Sequence, residues 1–385
     1  MIDFSEFESI GPYSDEDAVK ALKMIAGHPW LKEASVYVFP DQEPEYLSKL
    51  FSQVDSINSF QAMVMTKLVE RVLETTAHSF SYDGISNIEQ MGDRKYLALS
   101  NHRDIILDPA ITQYVLYHNG FPMTEIAVGD NLISNRFIEA LIRSNRMIKV
   151  VRGIGARELY ISSQLLSKYI RLKITSSESS VWLAQRQGRT KNGFDITEQG
   201  LLKMLDLSGT GTFEENFKEL NIVPLSISYE YEPCDVLKAR ELLISRTQKY
   251  VKAPGEDLNS ILVGIKQYKG NIHLNIGEPL KDSELVAAAA FDKNDRYQRI
   301  RHCVDLRVIE GYMLWKTNFI AYDLKNQCIK YSDRYTVEEK EAFVDYIEDK
   351  LDTVEPELDR DELRSIMLRI YAGPIISKEL LNMNI

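Results

Sequence analysis

The sequence has 385 residues, 44% of them hydrophobic and 27% charged, and a formal net charge of −11. That is enough chain for one large domain or two ordinary ones around a sizeable core, with the composition of a globular protein. The acidic balance argues against nucleic acid as a partner, and no apolar run approaches the roughly 20 residues of a membrane-spanning helix.

The opening "MIDFSEFESIGPYSDEDAVK" is acidic and lacks a positive start followed by an apolar run, so no secretory leader is expected. Cys234, Cys303 and Cys328 lie far apart and suggest neither a disulfide framework nor a metal pair; a reducing cytoplasm is the expected setting. Charge is unevenly spread. Residues 94–203 carry sixteen Lys and Arg against nine Asp and Glu, a balance of +7, which leaves −18 for the rest. A basic middle in an acidic protein points to an anionic ligand or surface there, although basic residues coating exposed helices would give the same count.

In chain order, the first ninety residues read as helices. "SDEDAVKALKMIAG" opens with a capping serine and an acidic first turn and ends at Gly27. "INSFQAMVMTKLVERVLETTAHSF" has apolar residues at three-to-four spacing, which predicts an amphipathic helix over 57–80. Near residue 92 the texture changes. Strands are expected at "KYLALS" (95–100), "MIKVV" (147–151), "SSVWLA" (179–184), "IVPLSISY" (222–229) and "NIHLNIG" (271–277), alternating with helical stretches. That alternation predicts an α/β fold: a mixed, largely parallel central sheet flanked by helices. After about residue 283 the pattern turns helical again. The expected division is therefore a helical region 1–91, an α/β domain 92–282 and a helical region 283–385.

Ligands of such sheets bind beyond the carboxyl ends of strands, and two loops in those positions carry chemistry. In "YLALSNHRDIILDPA" a strand ends just before His102, with Asp104 and Asp108 close behind. A histidine there can serve as general base if a carboxylate fixes its tautomer. The same stretch also fits a plainer role. Asp108 precedes Pro109, the pattern of a helix N-cap with proline in the first turn, and His102 would then be a turn residue. In "WLAQRQGRTKNGFD" Arg186, Arg189 and Lys191 surround Gly188. Glycine lets backbone approach a ligand, and guanidinium groups bind phosphate, although a solvated basic turn would read alike. A third stretch, "SNRMIKVVRGIGARE", places Arg152 just after a strand; Glu158 occupies the third glycine position of a dinucleotide fingerprint, so none is present. The remaining histidines are scattered and no metal site is expected.

Taken together, these stretches resemble the glycerolipid acyltransferase superfamily, the glycerol-3-phosphate and 1-acylglycerol-3-phosphate acyltransferases, over about residues 95–280. "NHRDIILD" is similar to that family's first motif, a His and an Asp separated by four residues. Here five separate His102 from Asp108, so either the loop is one residue longer or Asp104 serves. "VGDNLISNRFIEALIRSNRMIKVVR" resembles the approach to the second motif, with Arg152 as its arginine. "QRQGRTKNG" resembles the third, with Gln187 where the family usually has Glu; Gln can hydrogen-bond a hydroxyl but brings no charge. "IVPLSISYE" resembles the fourth, an apolar strand containing a proline, here Pro224. Arg103 and "SYE" lean toward the glycerol-3-phosphate branch.

The resemblance implies an enzyme that moves a fatty acyl group from acyl-CoA or acyl carrier protein to a hydroxyl of a phosphorylated glycerol or lysolipid. His102 would be the base, with Asp108 or Asp104 orienting it. Arg103, Arg152, Gln187, Gly188, Arg189, Lys191 and Pro224 would form the substrate site. The acyl thioester is a co-substrate and no cofactor is implied. A cytoplasmic chain with peripheral contact on the inner membrane face is expected, the amphipathic "FIEALIRSNRMIKVV" offering one contact. The rival readings are another lysolipid acceptor, a hydrolase or phosphatase using the same His and Asp residues, and an inactive lipid-binding module of the same fold.

Overall fold

The computed structural model describes residues 4–133, 135–153 and 155–383. Seven strands form one sheet: β1 (Ala77–Asp83), β2 (Leu97–Ser100), β3 (Glu125–Gly129), β4 (Met147–Val150), β5 (Val181–Ala184), β6 (Val223–Tyr229) and β7 (Gly270–Ile276). Their order is β1-β7-β6-β2-β5-β3-β4. Neighbours are parallel throughout except β6 and β7, so β1 and β7 run against the other five. The fold is α/β with a mixed, largely parallel sheet flanked by helices.

Strand periodicity divides the core. Leu97, Leu99, Val181 and Leu183 face one layer, with the helices Ala156–Thr175, Gln199–Asp206 and Asp295–Glu310. Ala98, Trp182, Leu225, Ile227 and Tyr229 face the other, with the helices Thr66–Thr76 and Leu107–His118. Successive side chains of a strand point to opposite faces, which is why neighbours in sequence enter different cores. Two satellite clusters complete the packing. One joins the N-terminal helices to Ala140. The other joins the helices Lys316–Asn326, Val337–Leu351 and Arg360–Met383 to Val236 and Ala239 of the helix Asp235–Ser245.

The five expected strands are present with slightly trimmed ends, and two more appear. The helix expected over 57–80 stops at Thr76, and Ala77–Asp83 becomes β1, pairing in parallel with β7 at the sheet edge. The short β3 begins with Glu125, a buried carboxylate that accepts a hydrogen bond from Tyr169 at 2.6 Å and lies 3.3 Å from Lys173. A buried acid breaks the apolar run by which such a strand is read. The stretch 297–324 is two helices, Asp295–Glu310 and Lys316–Asn326, broken at Gly311. There the chain passes so close to β7 that a Cβ on Gly311 would lie 2.4 Å from the Asn275 side chain. That break turns Tyr312 inward, where it meets Asp195.

Candidate active site

β2, β3, β4, β5 and β6 point the same way, so the loops that follow them share one rim of the sheet. His102 lies two residues beyond β2. Its Nδ1 is 3.0 Å from Asp108 Oδ2. That oxygen also accepts the backbone amides of Arg103 at 2.5 Å and Asp104 at 2.9 Å, while Oδ1 accepts the Tyr229 hydroxyl at 2.8 Å. A carboxylate oxygen can only accept, so Nδ1 is the donor in this contact, and in the neutral imidazole Nε2 is the nitrogen that keeps its lone pair. No hydrogen bond to Nε2 is present among the described residues. The imidazole is 13% exposed and meets Trp182 edge-on, with ring centroids 5.9 Å apart.

The extra residue in the loop is absorbed by Asp104. Its Oδ1 accepts the amides of Ile106 at 2.9 Å and Leu107 at 2.8 Å, and so caps the helix Leu107–His118. Asp108 therefore lies inside the first helical turn rather than at the cap, with Pro109 following it. The turn made by Asp104 swings Asp108 back under His102. Asp104 itself makes no hydrogen bond to His102, and its buried Oδ2 makes none among the described residues.

Beneath the loop lies a polar framework. Arg103 is 3% exposed and donates to Asp195 through Nη2 at 2.6 Å and Nε at 3.1 Å, with Glu232 at 3.4 Å. Lys238 donates to both Glu232 and the Arg103 carbonyl at 2.6 Å. Asp195 Oδ2 also accepts from Asn101 at 2.9 Å and Tyr312 at 2.8 Å. Burial would raise the Asp195 carboxyl; the Arg103 guanidinium and these donors outweigh it and hold the group below its usual range. Tyr229 goes the other way. Burial and the negative charges of Asp108 and Asp104 hold its phenol well above its usual range, so it stays a donor.

The second loop, after β5, is tied to the first: the Thr190 amide donates to the His102 carbonyl at 2.7 Å, and the Gln185 amide to the Ser100 carbonyl at 2.8 Å. Gly188 and Gly193 take left-handed φ of +73° and +82°. At Gly193 a Cβ would lie 2.4 Å from the Ile370 carbonyl, so this glycine lets the C-terminal helix close on the loop. Arg189 is 8% exposed, and its Nη2 donates to Ser260 at 3.2 Å. Arg186 has an unpartnered buried Nε. Lys191 is ion-paired with Glu241, and Gln187 is exposed, its amide donating to Glu198 at 3.2 Å.

Arg152, after β4, is half-buried, and its amide donates to Asp130 at 3.2 Å. Burial holds its guanidinium below the usual arginine range, against the pull of Asp130, Glu198 and Asp257. Asp257, bound to Asn131 at 2.9 Å, feels both Arg152 and Arg189, which places the two arginines on the same part of the rim. Among the described residues, Arg152, Arg186 and Arg189 are in no ion pair.

The structure thus brings His102, Asp108, Arg152, Gly188 and Arg189 to one rim. It places the Arg103 guanidinium and Asp104 beneath it, and Pro224 inside the sheet beside Leu99. Three residues were not picked out from sequence: Tyr229, Asn101 and Asp195. Tyr229 had a readable signal, since it shares the face of Leu225 and Ile227 and ends its strand on the rim. Asp195 had none, because its partners come from two distant segments, one holding Asn101 and Arg103 and the other Tyr312. Orphaned buried polar atoms gather at this rim as well. Trp182 Nε1, Gln185 Nε2, Arg186 Nε and Ser226 Oγ make no hydrogen bond among the described residues. Such groups are rare in folded proteins, and their concentration here marks a place for water or ligand.

No family model matches the sequence, and no curated protein matches it. Among solved structures the chain is similar to the 1-acyl-sn-glycerophosphate (LPA) acyltransferase PlsC from Thermotoga maritima. The two are 12% identical, with 78% of this chain and 98% of that one covered and a TM-score of 0.41. At this distance the likeness carries no residue roles across. No helix among the described residues is long and apolar enough to cross a membrane.

Proposed function

We propose that this chain is a glycerolipid O-acyltransferase. It moves a fatty acyl group from acyl-CoA or acyl carrier protein to a hydroxyl of glycerol-3-phosphate or 1-acylglycerol-3-phosphate, within phospholipid synthesis. The observation that carries this reading is the His102–Asp108 pair: Nδ1 is fixed by a buried carboxylate and Nε2 is clear, on a rim that also carries three arginines outside any ion pair. The order of the four motif-like stretches supports it further.

In the reaction, Nε2 of His102 takes the acceptor hydroxyl proton as the oxygen attacks the thioester carbonyl. Asp108 holds the ring and offsets the charge of the imidazolium. When the tetrahedral intermediate collapses, the C–S bond breaks and His102 returns the proton to the departing thiolate. The products are an ester and a free thiol. Arg189, Arg186 and Arg152 supply donors for the acceptor phosphate, and Gly188 lets it approach the backbone. Lys191 reaches it only by leaving Glu241. Arg103 acts from below, by holding Asp195 and the loop. As written, the reaction needs no cofactor.

The test is acyl transfer by the purified chain, with a palmitoyl thioester and either glycerol-3-phosphate or 1-acylglycerol-3-phosphate, beside His102→Ala. Ester product lost in the variant is the expected result. Thioester hydrolysis with no acceptor dependence would favour the hydrolase reading. Bound thioester without turnover would favour a binding module.

A further inference from the structure

The helix Glu256–Lys266 lies across the rim and covers part of it. Of its residues only Ser260 and Gly264, one turn apart, are buried. Both rest on the loops that carry the site. Ser260 Oγ accepts from Arg189 Nη2 at 3.2 Å, and the Ser260 carbonyl accepts the Cys234 thiol at 3.2 Å. Gly264 lies against Asp104, which shapes the His102 loop, with no room for a Cβ between them. The two ends of the helix are held differently. At the C-terminal end Ile265 packs against the core and the Lys266 ammonium lies over the Tyr37 ring, 3.4 Å from its centroid. At the N-terminal end residues 245–249 and 251–255, which lead into the helix, are exposed. Few buried apolar contacts and a solvated linker are the marks of a segment that opens locally.

The loose end sets a carboxylate between two arginines. Asp257 Oδ2 accepts from Asn131 Nδ2 at 2.9 Å. Asn131 and Arg152 crowd one spot, since a Cβ on Gly129 would meet both the Asn131 side chain and the Arg152 guanidinium. On the other side Ser260, three residues on, holds Arg189. Asp257 pairs only with Lys252, which is on the exposed linker and would travel with the helix. A carboxylate in this place faces the donors that a phosphate monoester would face, with less negative charge. Arg189 meanwhile is buried, so an outside anion reaches its guanidinium only when Ser260 leaves it.

We infer that the helix Glu256–Lys266 is a latch over the arginines, with Asp257 an internal stand-in for the acceptor's phosphate. The N-terminal half swings out on its linker while Ile265 and Lys266 stay in place. An incoming phosphate takes Arg152 and Arg189, and Asp257 gives them up. Latch and anion compete, so the apparent affinity for the anion falls with the fraction of molecules that are closed. The inference rests on the acyltransferase reading for the identity of the anion; the competition needs only the arginines. Its sign is distinctive. If Asp257 merely braced the arginines, losing its charge would weaken anion binding; a competitor's loss strengthens it.

Cys234 reports the opening, because it is 1% exposed beneath the same Ser260 that covers Arg189. In the full chain with Cys303→Ser and Cys328→Ser, labelling by N-ethylmaleimide reads Cys234 alone, at a rate that follows the open population. Titration calorimetry with inorganic phosphate and with glycerol-3-phosphate runs beside it, and a thermal melt separates local opening from global unfolding. Asp257→Asn should bind both anions at least about threefold more tightly and label at least about threefold faster. Asn131→Ala, which frees Asp257 and keeps its charge, should shift both in the same direction. Saturating phosphate should speed labelling of the protein with Asp257 intact. Weaker or unchanged anion binding by Asp257→Asn would make Asp257 a brace, and tighter binding with unchanged labelling would make it a fixed charge; either result would overturn the inference. These shifts without acyl transfer would sink the acyltransferase reading and leave the latch standing, and transfer without the shifts would do the reverse.

Discussion

Asp108→Asn isolates the charge behind His102 from the shape of the loop. Asp108 Oδ2 takes three donors, from His102 at 3.0 Å and the amides of Arg103 at 2.5 Å and Asp104 at 2.9 Å, and Oδ1 takes Tyr229 at 2.8 Å. An asparagine can place its carbonyl oxygen at the Oδ2 position and keep all three. Its NH2 then faces Tyr229, whose hydroxyl rotates to accept. Connectivity survives and the negative charge is lost. Three hydrogen bonds falling from charged to neutral lose about 1 kcal/mol each, so the fold should weaken by about 3 kcal/mol. Turnover should fall much further, by about 10²- to 10⁴-fold, or about 3–5 kcal/mol of barrier. The assay is thiol release from acyl-CoA, with a thermal melt run beside it. The decisive comparison is a double-mutant cycle. If Asp108 acts through His102, then Asp108→Asn added to His102→Ala should cost less than about threefold, because the base is already gone. Losses that multiply, or an Asp108→Asn protein with wild-type kcat, would refute the reasoning.

Other expected outcomes follow from neighbouring residues. Arg189→Ala should raise KM for a phosphorylated acceptor by about tenfold or more, since a charged hydrogen-bond donor is lost, and kcat should change less; steady-state kinetics with the acceptor varied decides it. Tyr229→Phe leaves Asp108 Oδ1 without a donor and should lower stability by about 1.5–3 kcal/mol in urea melts with the slope unchanged. Gly193→Ala puts a Cβ 2.4 Å from the Ile370 carbonyl at φ +82°, and should cost at least about 2 kcal/mol in thermal stability by parting the loop from the C-terminal helix. Asp305 accepts the Thr197 amide at 2.8 Å and hydroxyl at 2.6 Å, yet burial pushes its carboxyl up to about 6 from 3.8. The folded state then binds the proton more tightly than the unfolded one. Stability from this group is present below pH 3.8 and lost as pH rises through about 6, a difference of at most about 3 kcal/mol. Asp305→Asn should remove that slope. Its stability relative to wild type should climb between pH 4 and pH 7, and parallel pH–stability curves would contradict this.

The sequence by itself determined the class of fold and the loops that matter. Alternating apolar runs and amphipathic stretches state where a strand or helix begins, because periodicities of 2 and 3.6 are local properties of the chain. Where a residue's role depended on distant partners, local pattern failed. Ala77–Asp83 reads as the end of a helix until β7 offers its edge, and Glu125 disguises a strand because Tyr169 and Lys173, far along the chain, make its burial tolerable.

The same division runs through the site. His102, Arg152 and Arg189 were visible as residues that follow strands, since strand ends in a parallel sheet converge on one rim whatever the loops contain. Which carboxylate holds His102 was not visible, because Asp104 and Asp108 are both near in sequence. Tertiary structure decided it: Asp104 spends its Oδ1 on the helix cap, and the turn so made delivers Asp108 beneath the imidazole, where Tyr229 from β6 meets it. Arg103 looked like a ligand-binding residue and is instead a buried strut, because Asp195, Glu232 and the chain carrying Tyr312 close around it only in three dimensions. A side chain's chemistry is written in the sequence; whether it faces ligand or scaffold depends on which distant segments exclude water from it.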